Sequence, residues 1–555
     1  MVGRAKQRIC KACTKENHPL GKMVAAGLKV TSQANPIMYP GVVNTETQHP
    51  PLKPVESWAT EGNFGVKPKR YREAPPPLRT RAGPRLGAVG FDGSIPFVTT
   101  PGTRPLMEAI MYRVFKALEG GPDDGAFVAA EGVIEELCPE FGFVERWDDW
   151  AWLSSIQVAR RRRTLVKAWH ALQERGHMAE NWKLFTPFVK SELLPWFKFH
   201  NGIPDSEAAA YVARLIQAPH DDTHLRAGPY LKPFTRRLKE VWNNQHWIFY
   251  ASTTPEKIDE WVRSIQHCES FFWSDYSAYD CTWSEQAWAL VEGFYRRHMV
   301  QGEHWDDFQD VLAAWREPKG RKVCRQEGLD VLLTYLAQHC NGSGRDDTAL
   351  ANALLNGLVL AMAVSAALGG ISVEHVTVDH IRRAMGKVKI AVVGDDSLIG
   401  CDFDVAPHVE AIQSGIKKFG LQAVVNHSPN LWDVTFLGMM PYMTEDGLYM
   451  APTIGRRGYK LGWQREPVAH LPSWAKGTHM AMSMCQCVPV LSDLADRVVS
   501  LLARHSGSIP YDEDKPYYNR TSATPKWSSC TVEWLCRRYP DMSPEMFRRD
   551  VSNIG

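Results

Sequence analysis

Residues Ala391 to Gly400 read AVVGDDSLIG, so two adjacent carboxylates, Asp395 and Asp396, stand behind one glycine and between two apolar runs of strand length. The pattern predicts strand, tight turn, strand, with two negative charges at a hairpin tip. Charges that close resist joint ionisation unless something positive sits beside them, and a divalent cation is the commonest partner. An acidic turn facing water is the plainer reading of ten residues, so other stretches must decide. In Phe271 to Ser284, FFWSDYSAYDCTWS, a short apolar strand delivers Asp275, and Asp280 follows five residues later. A strand end is well placed to meet the acids of a neighbouring hairpin. Asp275 with Asp395 would form a carboxylate pair suited to two magnesium ions about 4 Å apart.

A third stretch, Asn341 to Asn356, reads NGSGRDDTALANALLN. Ser343 and Gly344 lie in a flexible loop, and Thr348 and Asn352 then open a helix at i, i+4 spacing on one face. Such a loop and face can hydrogen-bond a sugar together with a phosphate or base. Asp346 or Asp347 is placed to cap the same helix, a role that does not compete. A fourth signal is a basic series ahead of the acids: FVKSE with Lys190, then Lys198, ARLIQAP with Arg214, and GPYLKP from Gly228 to Pro233. Lysines and arginines along a channel would attract and orient phosphates, although each alone reads as a surface charge.

The elements that must hold these residues are of both kinds. Helical spacing recurs between Leu106 and Arg175, where Arg160 to Arg163 read as a solvated helix face, and at Ser206 to Gln217, Thr254 to Gln266, Glu285 to Val300 and Ala411 to Phe419. Strand patterns mark Phe271 to Asp275, Val388 to Ile399 and Val434 to Met440, so an α+β fold is expected. Hydrophobic residues at 44% and charged residues at 23% are those of a globular protein. A net charge of only +2 means that any nucleic-acid surface must be local. Twelve scattered cysteines fit reduced, cytosolic thiols, and no apolar core follows the basic N-terminus as a secretory signal would need. Ala349 to Gly370 approaches membrane-span length, but its Asn352, Asn356 and terminal glycines favour a buried helix, so no transmembrane segment is expected. Cys10, Cys13 and His18 offer three ligands for a structural zinc, but no close fourth follows, and the distant His49 makes a weak case.

The ordered set of basic series, D-x4-D, S-G-x3-T-x3-N and G-D-D, from about Lys190 to Gly438, resembles the RNA-dependent RNA polymerases of positive-strand RNA viruses. FVKSE, RLIQAP and GPYLKP resemble the tombusvirus and nodavirus side of that group. The resemblance implies a right-hand architecture: an extended arm wrapping the fingers over 1–105, fingers over 106–265, and a palm of antiparallel sheet and flanking helices over 266–300 and 341–445. A fingers insertion over 301–340 and a mainly helical thumb over 446–555 complete it. It implies that Asp275 and Asp395 ligate two magnesium ions, with manganese able to substitute, and that Asp396 supports them. Asp280 and Asn352, with Ser343 and Thr348, would check the ribose 2′-hydroxyl, and Gly344 would belong to the same nucleotide-binding set. Lys190 and Arg214 would hold the triphosphate, and Lys417 or Lys418 would protonate the leaving pyrophosphate. Phe436 to Gly438, FLG, would grip the primer strand.

The partners implied are template RNA, the nascent strand, ribonucleoside triphosphates and a separate membrane-tethering protein, in a replication complex in the host cytoplasm. A reverse transcriptase, or an RNA-binding protein with a decayed palm, is the competing expectation. Gly394 and the Asp280/Asn352 pair weigh against the first, and the intact aspartates against the second. Asp346 and Asp347 depart from the resemblance, because acids are unusual in a loop expected to face a nucleotide.

Overall fold

The computed structural model describes residues 64–71, 97–98, 103–115, 488, 528–540 and 543–545, and 121–453 apart from 191, 195–212, 253, 277–278 and 327–328. Cys10, Cys13, His18, His49 and Lys198 lie outside the described residues. The strands are β1 (Phe64–Tyr71), β2 (Phe97–Val98), β3 (Leu184–Val189), β4 (Leu193–Leu194), β5 (Leu215–Ala218), β6 (Ile248–Tyr250) and β7 (Ser270–Tyr276). They continue with β8 (Lys319–Gln326), β9 (Leu329–Leu336), β10 (Val388–Val393), β11 (Asp396–Cys401), β12 (Ala423–Ser428), β13 (Met439–Thr444) and β14 (Gly447–Pro452). The helices are α1 (Thr103–Arg113), α2 (Asp124–Leu137), α3 (Asp149–Ser154), α4 (Ala159–Arg175), α5 (Asp221–Asn243) and α6 (Pro255–Ile265). After them come α7 (Glu285–His298), α8 (Trp305–Arg316), α9 (Thr348–Gly369), α10 (Val378–Met385), α11 (Val409–Lys418) and α12 (Ser529–Arg538).

The fold is α+β, and one five-stranded sheet, in the order β12-β7-β11-β10-β6, carries the acids. Its central strands are apolar on both faces, because helices cover one side and further apolar clusters the other. All pairings in it are antiparallel except one: β6 runs parallel to β10, with Ile248 opposite Ile390 and Tyr250 opposite Val392. The expected antiparallel sheet is therefore mixed, since the long connection of helices and strands from β6 to β10 leaves the two free to run in the same direction. β6 also lies upstream of the boundary expected at 265, and the β13–β14 hairpin crosses the one expected at 445. A second sheet, β1-β9-β8-β3-β5, packs against α1.

Helix α9 is the spine of the main core. It is long and apolar enough to cross a membrane, but the protein encloses it on nearly every side, against α2, α7, α10, α11 and β10. This is the buried helix that its asparagines and glycines favour.

Two segments differ from their expected class. Residues 206–212 of the expected helix lie outside the described set, and Leu215–Ala218 form β5, where burial alternates with period two rather than at helical spacing. Of Val434 to Met440 only Met439 and Met440 belong to a strand, and a short 3-10 turn at Leu431–Asp433 precedes the segment. GPYLKP, expected in a basic channel, is instead the middle of α5, where Lys232 alone is exposed. Gly228 is needed there because a Cβ would stand 2.2 Å from the Trp152 indole.

Candidate active site

The β10–β11 hairpin closes with Val393 paired to Asp396, leaving Gly394 and Asp395 as a two-residue loop. Gly394 has φ +60° and Asp395 is not in the positive-φ region, the signature of a type II′ turn with glycine at its first central position. That turn matches strand twist and lifts Asp395 to the tip, while Asp396 remains in the first strand position. Strand β7 pairs with β11 from Ser270 opposite Cys401 to Phe272 opposite Ile399. Beyond that ladder, Ser274 and Ser397 share a hydroxyl hydrogen bond of 2.5 Å, so the next residues, Asp275 and Asp396, leave the fork side by side.

Asp275 and Asp395 are both open to solvent at their strand ends. Protein nevertheless surrounds Asp395 closely enough that lost hydration holds its carboxyl above the usual range, with the charge of Asp275 pushing the same way and Arg214 opposing. Two carboxylates that repel in a partly dehydrated setting form a site short of positive charge.

Asp280 follows the strand in a short 3-10 turn and accepts a 2.5 Å hydrogen bond from Ser343 Oγ. Its backbone carbonyl accepts from Asn341 N at 2.8 Å, and the Asn341 side-chain amide donates to Asn352 Oδ1. Thr348 Oγ1 donates to the Gly342 carbonyl at 3.1 Å, tying the loop to the start of α9. Gly344, at φ +117°, lets the loop pass β5, since a Cβ would meet the Gln217 carbonyl at 3.0 Å. The loop's backbone is fixed there by Gln217 N, which donates to Ser343 O at 2.8 Å. Asn341 Oδ1 is buried with no partner among the described residues, an acceptor that a ligand hydroxyl or a water would satisfy.

Burial raises Asp280 to about 6, with Asp395 adding to the rise while Ser343, Arg113 and Arg214 oppose it. Between roughly pH 4 and 6 the folded protein keeps a proton on Asp280 that the unfolded chain has released, so this group's contribution to stability falls as pH rises through that window. Asp280→Asn is expected to remove that slope, an effect on the order of 2–3 kcal/mol. The check is the difference in unfolding free energy between the two proteins, measured in urea at intervals from pH 4 to 7.

The basic residues come from the second sheet. Val189 pairs with Leu215, and Lys190 N donates to Arg214 O at 2.8 Å, so antiparallel pairing of β3 and β5 sets Lys190 beside Arg214. Glu192 bridges the two side chains, 3.1 Å from Lys190 and 3.3 Å from Arg214. The charge of Arg214 acts on both Asp280 and Asp395, lowering the pKa of each. Of the two lysines of α11, one is committed elsewhere. Lys418 donates to Asp123 at 2.8 Å and lies 4.0 Å from Glu374, a pairing that raises its pKa, and Lys417 is exposed at the same helix end. Phe436 to Gly438 form a tight turn in which Phe436 and Met439 exchange backbone hydrogen bonds of 2.8 and 2.9 Å, with Leu437 and Gly438 both at positive φ.

The segment that contains this sheet, these acids and this loop also matches a known family. Residues 208–452 fit the family model of the viral RNA-dependent RNA polymerases. The chain carries a viral RNA-directed RNA polymerase domain. The match starts at the approach to β5 and ends with β14, so it includes Arg214 and every expected acid while Lys190 lies ahead of it. A comparison with curated proteins finds no match to the chain.

The polymerase's acidic loop has a structural account. Asp347 forms a fully buried ion pair with Arg345 at 2.7 Å, and Asp346 pairs with His224 at 2.8 Å, so both acids are committed within the protein. Arg345 is itself sandwiched between the Trp288 and Trp315 rings, 4.3 and 4.8 Å from their centroids. Asp347 is also the residue before α9 but makes no side-chain cap there.

Four residues around the acids carry no assignment in the sequence. Arg113, at the end of α1, acts on Asp280 from about 170 positions away. Asn341 was included in the loop but given no role. Asn356 and Tyr276 hold the hairpin tip from below, and only a heptad-like count along α9, placing Asn356 one turn after Asn352, could have flagged the first.

Proposed function

We propose that this site joins ribonucleotides on an RNA template, the 3′-hydroxyl of the growing strand attacking an α-phosphate and pyrophosphate leaving. The observation that carries the proposal is that Asp275, at the end of β7, and Asp395, in the loop of the adjoining hairpin, act on each other's charge beside the Asp280–Ser343–Asn341–Asn352 network. Asp275 and Asp395, with Asp396 in support, would hold two magnesium ions, for which manganese would substitute. No group of three or more histidine, cysteine, aspartate or glutamate side chains suited to a metal occurs among the described residues. Magnesium needs no such cage, because one or two carboxylates with substrate phosphate oxygens and waters satisfy it. When bound, the cations stabilise charge on the entering and leaving oxygens.

The chain's own residues would do the rest. Arg214, with Lys190 and Arg113, draws the triphosphate over the acids and sets its direction. Ser343, held on Asp280, and Asn352, held on Asn341, present hydroxyl and amide groups to the ribose, the 2′-hydroxyl being what separates RNA from DNA. Lys417 is the better general acid of the two lysines, since Lys418 is engaged by Asp123 and Glu374.

The sheet β12-β7-β11-β10-β6 would be the palm, the sheet bearing Lys190 and Arg214 would belong to the fingers, and the chain beyond about 446 would form the thumb. The FLG turn would meet the primer strand, and FVKSE with RLIQAP would ally the polymerase with the tombusvirus and nodavirus group. A membrane-tethering partner would place it in a cytoplasmic replication complex. The test is extension of short RNA templates, with and without primer, comparing ribonucleotides with deoxynucleotides and magnesium with a chelator. Magnesium-dependent incorporation of ribonucleotides alone is expected, and equal use of deoxynucleotides would overturn the ribose assignments.

A further inference from the structure

Asn356 is fully buried in α9, and every polar atom of its side chain is used. Nδ2 donates to both carbonyls of the hairpin loop, Gly394 O at 3.2 Å and Asp395 O at 3.0 Å. Oδ1 accepts from the Tyr276 hydroxyl at 2.7 Å. Tyr276 is the residue after Asp275, its ring buried and set edge-on to Tyr279 with centroids 4.9 Å apart. Tyr279 in turn precedes Asp280 and donates to the Asn352 carbonyl at 3.4 Å. One amide thus joins the strand that delivers Asp275 to the loop that delivers Asp395, holding the Asp395 backbone rather than either carboxylate.

A two-residue loop has no sheet partner for its own carbonyls, and buried carbonyls without donors are costly. Asn356 supplies those donors, and Tyr276 fixes its amide orientation by occupying the oxygen. Rotation of the loop about the hairpin axis would break both bonds together, so the amide sets how far the Asp395 carboxylate stands from Asp275.

We propose that Asn356, oriented by Tyr276, is a positioning residue that sets the separation of Asp275 and Asp395 and thereby the affinity of the acid pair for divalent cations. The inference rests on the proposed role of those two acids as metal ligands. Tyr276→Phe removes one hydroxyl and leaves the ring packing in place. Asn356→Leu removes all three bonds at similar volume.

The experiment measures manganese binding to the full-length protein by calorimetry without nucleotide, the magnesium concentration for half-maximal extension, and thermal unfolding in chelator. Both variants are expected to bind manganese at least about fivefold more weakly, with Asn356→Leu the weaker, and to need correspondingly more magnesium. Tyr276→Phe is expected to unfold within a few degrees of the native protein. Unchanged manganese affinity and magnesium requirement in a folded Tyr276→Phe would overturn the proposal, as would activity lost only in proportion to the unfolded fraction. Asp395→Ala runs alongside as the control for the underlying reading. If that variant binds manganese as the native protein does, the metal assignment fails. If it loses binding while the Tyr276 and Asn356 variants keep theirs, the positioning role alone fails.

Discussion

Asp395→Ala is expected to lower nucleotide addition by at least about three orders of magnitude, the scale on which single electrostatic groups at a transition state act. RNA affinity should stay within about twofold, since nucleic-acid binding rests mainly on basic side chains meeting phosphates. The reason for choosing Asp395 over its neighbour is geometric. Asp395 sits in the loop with its charge acting against Asp275, whereas Asp396 is the first paired residue of β11. Asp396→Ala should therefore cost less. Single-turnover extension at saturating magnesium, paired with filter binding of labelled RNA, measures both quantities. Undiminished extension by Asp395→Ala would remove the basis for the metal assignment.

The second large effect is on stability. Asp347→Ala strands the Arg345 guanidinium, which is wholly enclosed between Trp288 and Trp315. Removing one partner of a buried ion pair leaves an uncompensated charge and costs about 3–5 kcal/mol. Replacing both, as Arg345→Met with Asp347→Leu, should recover much of that loss, because apolar side chains of similar volume avoid the desolvation penalty. Equilibrium urea denaturation of the single and double variants checks the sign and the coupling. The loop that carries Ser343 precedes this pair directly, so the single variant should also lose discrimination between ribonucleotides and deoxynucleotides.

The hairpin at Asp395 was legible in the sequence because its cues are local: one glycine, two acids and two flanking apolar runs. The burial of α9 was legible for the same reason, its asparagines and terminal glycines being at odds with a lipid environment. What escaped were features made by partners distant in the chain. ARLIQAP follows a helical pattern, yet pairing with β3 draws Leu215–Ala218 into a strand. GPYLKP reads as basic, yet its lysine is the one exposed residue of a stretch otherwise turned inward on a helix. Asp346 and Asp347 look misplaced beside a nucleotide until His224 and Arg345 are seen across from them. Arg113 carries no local signal and Asn356 only its place one turn after Asn352, since an arginine ending a helix and an asparagine inside an apolar one acquire meaning from what the fold puts opposite.

The order of strands in the acid-bearing sheet also governs when it can form. Asp275 and Asp395 are 120 positions apart (395 − 275), with the β8–β9 hairpin and helices α7 to α10 between them. At synthesis rates of about 5–20 residues per second, the first acid leaves the ribosome roughly 6–24 seconds before the second. During that interval β7, with its Phe271–Phe272–Trp273 run, has neither β11 nor β12 to pair with, the situation in which nascent chains recruit chaperones or aggregate. A truncated translation product ending before the hairpin would hold Asp275 without Asp395 and two of the sheet's five strands, β6 and β7, which do not pair with each other.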